Sequence, residues 1–326
     1  MEERLLEILR IALAYRVSDI HFNLLRDDDG AGEMVIEMRV NGEIRQLKPN
    51  EDDLKLFRYL MYRADLDLSG AFLPQTGSFE MMVDKQRLSL RFAIVASYRR
   101  SSGVLRILND HHVLHIDELT DDPQVKTWLG KVTEHHTGLF VFSGPTGSGK
   151  TTTLYTLLDE ARGKKIFTLE DPVEVVHEGY MQLQINEKQH LSYADGIKQL
   201  MRHDPDIVMI GEIRDGEAAS MAVRCALTGH LVVTSLHSSD CTSAILRLMD
   251  LGVKDYQLKD VLVGVSNQRL AVDEEGRKMG IYEIMSREEV EYWFAHHEHS
   301  AGFITLHERL ARAQDAGIIV KETVGR

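Results

Sequence analysis

The chain has 326 residues, 43% hydrophobic and 27% charged, and its 51 acidic and 38 basic side chains give a formal charge of -13. That length fits two domains of about 150 residues each, and only six prolines argue against long disordered linkers. The acidic balance excludes a surface that as a whole attracts nucleic acid or anionic lipid. Cys225 and Cys241 are too few and too far apart for a disulfide framework or a closed zinc site, so a reducing cytosol is expected. The start, Met1-Glu2-Glu3-Arg4, lacks a signal-peptide layout, and no apolar run approaches the ~20 residues that span a bilayer. Contact with a membrane would come by docking.

Leu5, Leu6, Ile8, Leu9, Ala12 and Leu13 recur at helical spacing within residues 4–16, and Val17 to Phe22 then turns strand-like. Met34 to Leu47 alternates around Asn41-Gly42, a hairpin signal because both turn residues tolerate positive φ. Asp52 to Leu66 reads as an amphipathic helix, followed by strands at Gly77 to Val83, Gln86 to Ala93 and Val104 to Leu108. Residues 1–110 therefore form an α+β domain. Periodicity breaks over 109–121, which places a linker at 111–122. From Pro123 onward, near-continuous apolar strands alternate with helices, the pattern of a parallel sheet covered on both faces. Residues 123–326 are therefore α/β, with strands at Gly138 to Ser143, Lys165 to Leu169, Ile207 to Ile210 and Leu231 to Leu236. The stretch from Ile281 to Arg326 reads as helices with Leu306, Leu310 and Ile318 in the core.

Gly144-Pro145-Thr146-Gly147-Ser148-Gly149-Lys150-Thr151 satisfies the phosphate-loop pattern between an apolar strand and a helix from Thr152 to Glu160. Glycines let successive N–H groups point at one phosphate, with the helix dipole behind them. Lys150 is expected to reach the β and γ phosphates of ATP, and the Thr151 hydroxyl to ligate Mg²⁺. Polar residues ending parallel strands line the ligand crevice. Two strand ends bring acids there: Glu170-Asp171-Pro172 and Gly211-Glu212-Ile213-Arg214-Asp215. Holding the water shell of Mg²⁺ and orienting the attacking water fall to Glu212 and Glu170, in an order that spacing does not decide. Asp215 reads better as a helix cap before Gly216 to Leu227. His237 ends the next strand in the same crevice and is placed to sense the γ-phosphate, whereas His230 lies at the opposite end.

These segments resemble, in order, the Walker A, Asp box, Walker B and His box of secretion ATPases of the type II secretion and type IV pilus superfamily: GPTGSGKTTTLY from Gly144, LEDPVE from Leu169, DPDIVMIGEIRD from Asp204 and LTGHLVVTSLHSSD from Leu227. Ser18 to Phe22, Leu73 to Gly77, Gln268 to Leu270 and Gly280 to Ile284 extend the resemblance over nearly the whole chain. It implies a Mg²⁺-dependent ATPase with a RecA-type P-loop core and a smaller amino-terminal α+β domain, assembled as a hexameric ring. In such a ring the first domain delivers arginines to the phosphates, which nominates Arg91 and Arg106, with Arg214 and Arg269 also inside matching segments. A polytopic membrane platform protein would be the partner, linked indirectly to pilin-like subunits. The motor would sit on the inner face of the cell membrane, with no direct DNA binding expected.

Two departures narrow the resemblance. A four-cysteine zinc loop common in assembly ATPases is missing between Gln268 and Ile284, so no zinc is expected, and the chain starts almost at the helix before Ser18. The short form is most similar to the competence pseudopilus ATPases of Gram-positive bacteria. Short pilus retraction ATPases are the nearest alternative, and a P-loop DNA translocase is a remoter one.

Overall fold

The computed structural model describes residues 1–15, 17, 19–26, 32–40, 43–68, 73–97, 100–108, 114–173, 176–185 and 191–323. Two compact units divide the chain, Met1–His111 and His112–Arg326. In the first, α1 (Glu2–Ala14) buries Leu5, Ile8, Leu9 and Ala12, and α2 (Asp53–Arg63) buries Leu56, Phe57, Leu60 and Met61, as their spacing of three and four dictates. They cover one face of an antiparallel sheet built from β1 (Asp19–Arg26), β2 (Gly32–Val40), β3 (Glu43–Gln46), β4 (Gln75–Val83), β5 (Gln86–Ala96) and β6 (Arg100–Ile107), in the order β3-β2-β1-β6-β5-β4. Strict alternation sends Leu88, Leu90, Phe92 and Ile94 of β5 into this core and leaves Arg91 on the other face. The Phe92 ring meets Phe22 and Phe57 edge-on, with centroids 6.0 Å and 5.5 Å away. Gly103 lies against that ring, where a Cβ would come within 2.5 Å of it. Val40 pairs with Glu43 across the predicted hairpin; the Asn41-Gly42 turn, like Ser18, lies outside the described residues.

The second unit contains β7 (Gly138–Ser143), β8 (Ile166–Glu170), β9 (Tyr180–Gln184), β10 (Ile207–Ile210), β11 (Leu231–Leu236), β12 (Leu262–Val272), β13 (Lys278–Met285) and β14 (Lys321–Thr323). Their order is β13-β12-β7-β11-β10-β8-β9, with β14 on β12. From β12 to β9 all neighbours are parallel, while β13 and β14 run antiparallel to β12. Helices cover both faces, which is why β7 is buried throughout and apolar up to Ser143. Phe140 and Phe142 pack with α3 (Ile116–Leu119), α4 (Pro123–Val132) and α5 (Lys150–Glu160). Leu139 and Val141 pack with α6 (Tyr193–Leu200), α7 (Gly216–Leu227), α8 (Cys241–Asp250), α9 (Asp255–Val261) and α10 (Arg287–His296).

Three sequence expectations differ from this structure. Residues 116–119, assigned to a 111–122 linker, form α3 with Ile116 and Leu119 buried in the second unit. Ile281 to Met285, expected to be helical, belong to β13, whose pairing with β12 overrides local propensity. Ile318 is exposed and Ile319 is buried instead, because Gly317 at φ +69° ends the helical phase of α11 (Leu306–Asp315).

Candidate nucleotide site

The phosphate loop leaves β7 at Gly144 (φ +145°), turns at Gly147 (φ +79°) and enters α5 through Gly149 (φ +87°), all left-handed values that favour glycine. At Gly144 space is also limiting, since a Cβ would lie 2.6 Å from the Gln268 carbonyl and 2.7 Å from Ser148 Oγ. Lys150 Nζ donates to the Gly144 and Pro145 carbonyls at 2.9 and 3.0 Å. Burial pushes the Lys150 pKa down to about 8, against the attraction of Glu212 and with the repulsion of Arg269. Gln268 of β12 braces the loop from the side, its Nε2 donating to the Ser148 carbonyl at 2.7 Å. Ser148 Oγ is buried without a hydrogen-bond partner.

The strand ends meet as the crevice rule requires. Glu212, just beyond β10, is contacted by two side chains: Arg214 Nε lies 3.0 Å from its Oε2 and His237 Nε2 lies 3.3 Å from its Oε1. His237 Nδ1 donates to the Gly144 carbonyl at 3.1 Å, so the end of β11 is joined to the phosphate loop. Arg214 also reaches Asp171 at 3.0 Å, tying the end of β8 to Glu212. Glu170 is only 4% exposed. Its carboxylate accepts from Tyr155, from Thr168 Oγ1 at 2.6 Å and from Gln182 Nε2 at 3.1 Å, and all three donors lie outside the loop 144–151. Asp215 caps α7 through the Ala218 N–H at 2.8 Å, and His230 stands at the other end of β11, bonded to Thr228 and the Cys225 carbonyl. Arg269 Nη2 donates to the Ser239 carbonyl at 3.1 Å.

In the first unit, Arg91 and Arg106 are direct cross-strand partners on the sheet face opposite the helices, and Asp19 of β1 is the direct partner of Arg106 on its other side. Arg106 Nε lies 2.7 Å from Asp19 Oδ1, which offsets the repulsion between the two arginines. Periodicity did not bring out Asp19, Gln268, Tyr155 or Gln182. Each lies in a strand or helix, and its role shows only when the partner across the sheet or helix is known. Glu174, part of the Asp-box match, lies outside the described residues.

The donor set fits a nucleotide polyphosphate. Left-handed glycines, a buried lysine, an orphaned Ser148 hydroxyl and a helix N-terminus converge on one loop, which is the chemistry of an anion cradle. Among the described residues no cluster of three or more histidine, cysteine or acidic side chains forms a metal cage; Thr151 and Glu212 suit an ion held largely by water and phosphate.

A family model described as type II/IV secretion system protein matches residues 1–323. Competence protein ComGA of Bacillus subtilis (strain 168) is 36% identical over 269 residues, 81% of this chain and 74% of ComGA. The putative type II secretion system protein E of Escherichia coli (strain K12) is 36% identical over 271 residues, 81% of this chain but 53% of that protein, so the match spans about half its length. Among solved structures, the pilus retraction motor PilT with bound ADP is similar at a TM-score of 0.72 and 25% identity, over 97% of this chain and 94% of PilT. The Legionella pneumophila ATPase DotB shares the fold at a TM-score of 0.73 and 20% identity, over 96% of this chain and 92% of DotB.

Proposed function

This chain belongs to the type II/IV secretion system protein family, and on that premise we propose that it is the ATP-hydrolysing motor subunit that powers assembly of a competence pseudopilus for DNA uptake. The similarity to ComGA supports the competence reading. The chemistry rests on one observation, the contact path from Glu212 through His237 to the Gly144 carbonyl beside Lys150. A carboxylate tied to the phosphate loop responds to what the loop holds.

Lys150 and the loop N–H groups bind the β and γ phosphates. Thr151 and Glu212 would hold Mg²⁺, Glu212 through water, and the ion supplies charge neutralisation on the phosphates when bound. Glu212 and Glu170, the latter on the strand beside β10, are the two candidates for orienting the attacking water. Arg91 and Arg106 neutralise charge that develops during transfer. They act within a homo-oligomer, a hexameric ring docked on a polytopic platform protein at the inner face of the cell membrane and linked through it to pilin-like subunits. No helix among the described residues is long and apolar enough to cross a membrane.

A second reading, a pilus retraction motor, draws on the similarity to PilT. Turnover of the purified protein with its oligomeric mass, comparing wild type and Glu212→Gln with and without Mg²⁺ and DNA, tests the enzyme. Mg²⁺-dependent, DNA-independent hydrolysis lost in Glu212→Gln is the expected result. Strong DNA stimulation would replace it with a translocase. Loss of transformation, with pseudopili absent rather than unretracted in a deletion strain, separates assembly from retraction.

A further inference from the structure

The second unit holds a cavity of about 440 Å³, within the size range of small-molecule sites, lined by none of the residues assigned to the nucleotide. It lies among α11, β13 and the turn that leads into α4. Met279, Ile281, Ile304, Ala313 and Ile318 give it an apolar wall. Tyr282 adds ring carbon only, because its hydroxyl is spent on Thr153 at 2.8 Å. Four charged side chains complete the lining: Asp121, Asp122, Arg309 and Arg312.

Arg309 is the unusual member of this set. Its side chain is 8% exposed, Nη1 lies 2.5 Å from Asp122 Oδ2, and Nε is buried without a hydrogen-bond partner. Asp122 is not free to turn toward Nε, since its Oδ1 accepts from the Gln124 and Val125 N–H groups as the N-cap of α4. A buried guanidinium N–H with no acceptor is costly, and an anionic oxygen beside it removes that cost. Both carboxylates on the wall already have a cation: Asp121 lies 3.3 Å from Arg277, and Asp122 holds Arg309. Arg312, three residues along α11 from Arg309 and so on the same side of the helix, makes no ion pair among the described residues. The polar groups left unspent are therefore donors on two arginines, set against an apolar wall. We propose that this cavity is a binding site for a small amphipathic monoanion, a carboxylate or similar group on an apolar body. The anion meets Arg309 Nε and the charge of Arg312, and the body lies against Met279, Ile281 and Ile318.

The test uses the full chain with its nucleotide site filled by excess ADP and Mg²⁺, and anilinonaphthalene sulfonate as the fluorescent probe. One saturable site per chain is expected, from which octanoate displaces the probe while octanol and inorganic phosphate at the same concentration do not. Arg309→Met should weaken binding of the probe about tenfold, the scale of a hydrogen bond to a charged group. Arg312→Gln should weaken it about threefold, as befits an exposed cation. Ala316→Trp, which fills the cavity from an exposed position on its rim, should abolish it. The last two variants alter exposed side chains and keep the test decisive should Arg309→Met lose the cap of α4. Equal displacement by octanol would reduce the site to an apolar crevice and overturn the proposal. Absence of saturable binding, or binding unchanged in Arg312→Gln and Ala316→Trp, would overturn it as well.

Discussion

His237 Nε2 stands 3.3 Å from Glu212 Oε1, and this contact joins the ends of two neighbouring parallel strands above the phosphate loop. Ser235 Oγ of β11 also donates to the Gly211 carbonyl at 2.6 Å, and the Glu212–His237 contact adds a direct side-chain path from one strand end to the other. Through Nδ1 the imidazole also holds the Gly144 carbonyl, so a change in the loop has a direct path to Glu212.

Glu212→Gln is expected to lower ATP turnover by at least about 100-fold, the scale for a preorganised charged group at the reacting phosphate. His237→Ala, which leaves Glu212 in place with Arg214, should cost about tenfold. Both variants should retain nucleotide binding, because Lys150 and the loop N–H groups are untouched. Single-turnover hydrolysis beside analogue binding separates the two effects, and equal losses in binding and turnover would show that the contact path only shapes the loop.

Proton uptake on binding follows from Lys150. Its pKa of about 8 in the free site reflects burial, and a polyphosphate beside it favours the charged form. Bound Lys150 therefore keeps its proton to higher pH than free Lys150. ATP affinity should be flat below pH 8 and weaken by up to about tenfold per pH unit above it. Calorimetry at pH 8.5 in buffers of different ionisation enthalpy should record net uptake, and no uptake would mean that the free lysine is already fully charged at that pH.

Much of this site was legible before any coordinates. The glycines of residues 144–149 carry their own explanation in φ, and Glu212 and His237 follow from apolar strands that end in polar residues. The parallel core strands were legible because each is a short apolar run bounded by turn residues. Less visible was what depends on partners. β12 and β13 look like neither pure strand nor helix in isolation and are set by pairing with β7 and with each other. Tyr155 and Gln182 gave no periodic signal, since hydroxyl and amide reach Glu170 from a helix and a strand 27 residues apart in sequence. Arg91 and Arg106 were individually ordinary charges, and their adjacency appeared only with the register of β5 and β6.

That adjacency supports a paired test. Arg106→Gln removes one arginine and its ion pair with Asp19, at a stability cost below about 1 kcal/mol for a half-exposed pair. Arg91→Gln leaves the Arg106–Asp19 pair intact. If both arginines serve the phosphates of an assembled ring, each variant should lose about 10-fold or more in turnover while ring mass and melting temperature stay near wild type. Loss of turnover that tracks loss of the assembled species would instead make them interface residues.

The two thiols set an independent check on the second unit. Cys241 is the first residue of α8, a place where the helix dipole ordinarily lowers a thiol pKa. Here burial acts the other way and is joined by Glu283, whose Oε1 accepts from the Cys241 N–H at 2.7 Å, so the thiol is held well above its usual range. Cys225, buried on α7, is pushed up to about 12 by burial. Because the thiolate is the reactive form, neither cysteine should react with an aromatic disulfide reagent at pH 8 in the native protein, and both should react once it is unfolded in guanidinium. Rapid labelling of one thiol in the native state would place α7 or α8 outside the core and, with it, the strand ends that carry Glu212 and His237.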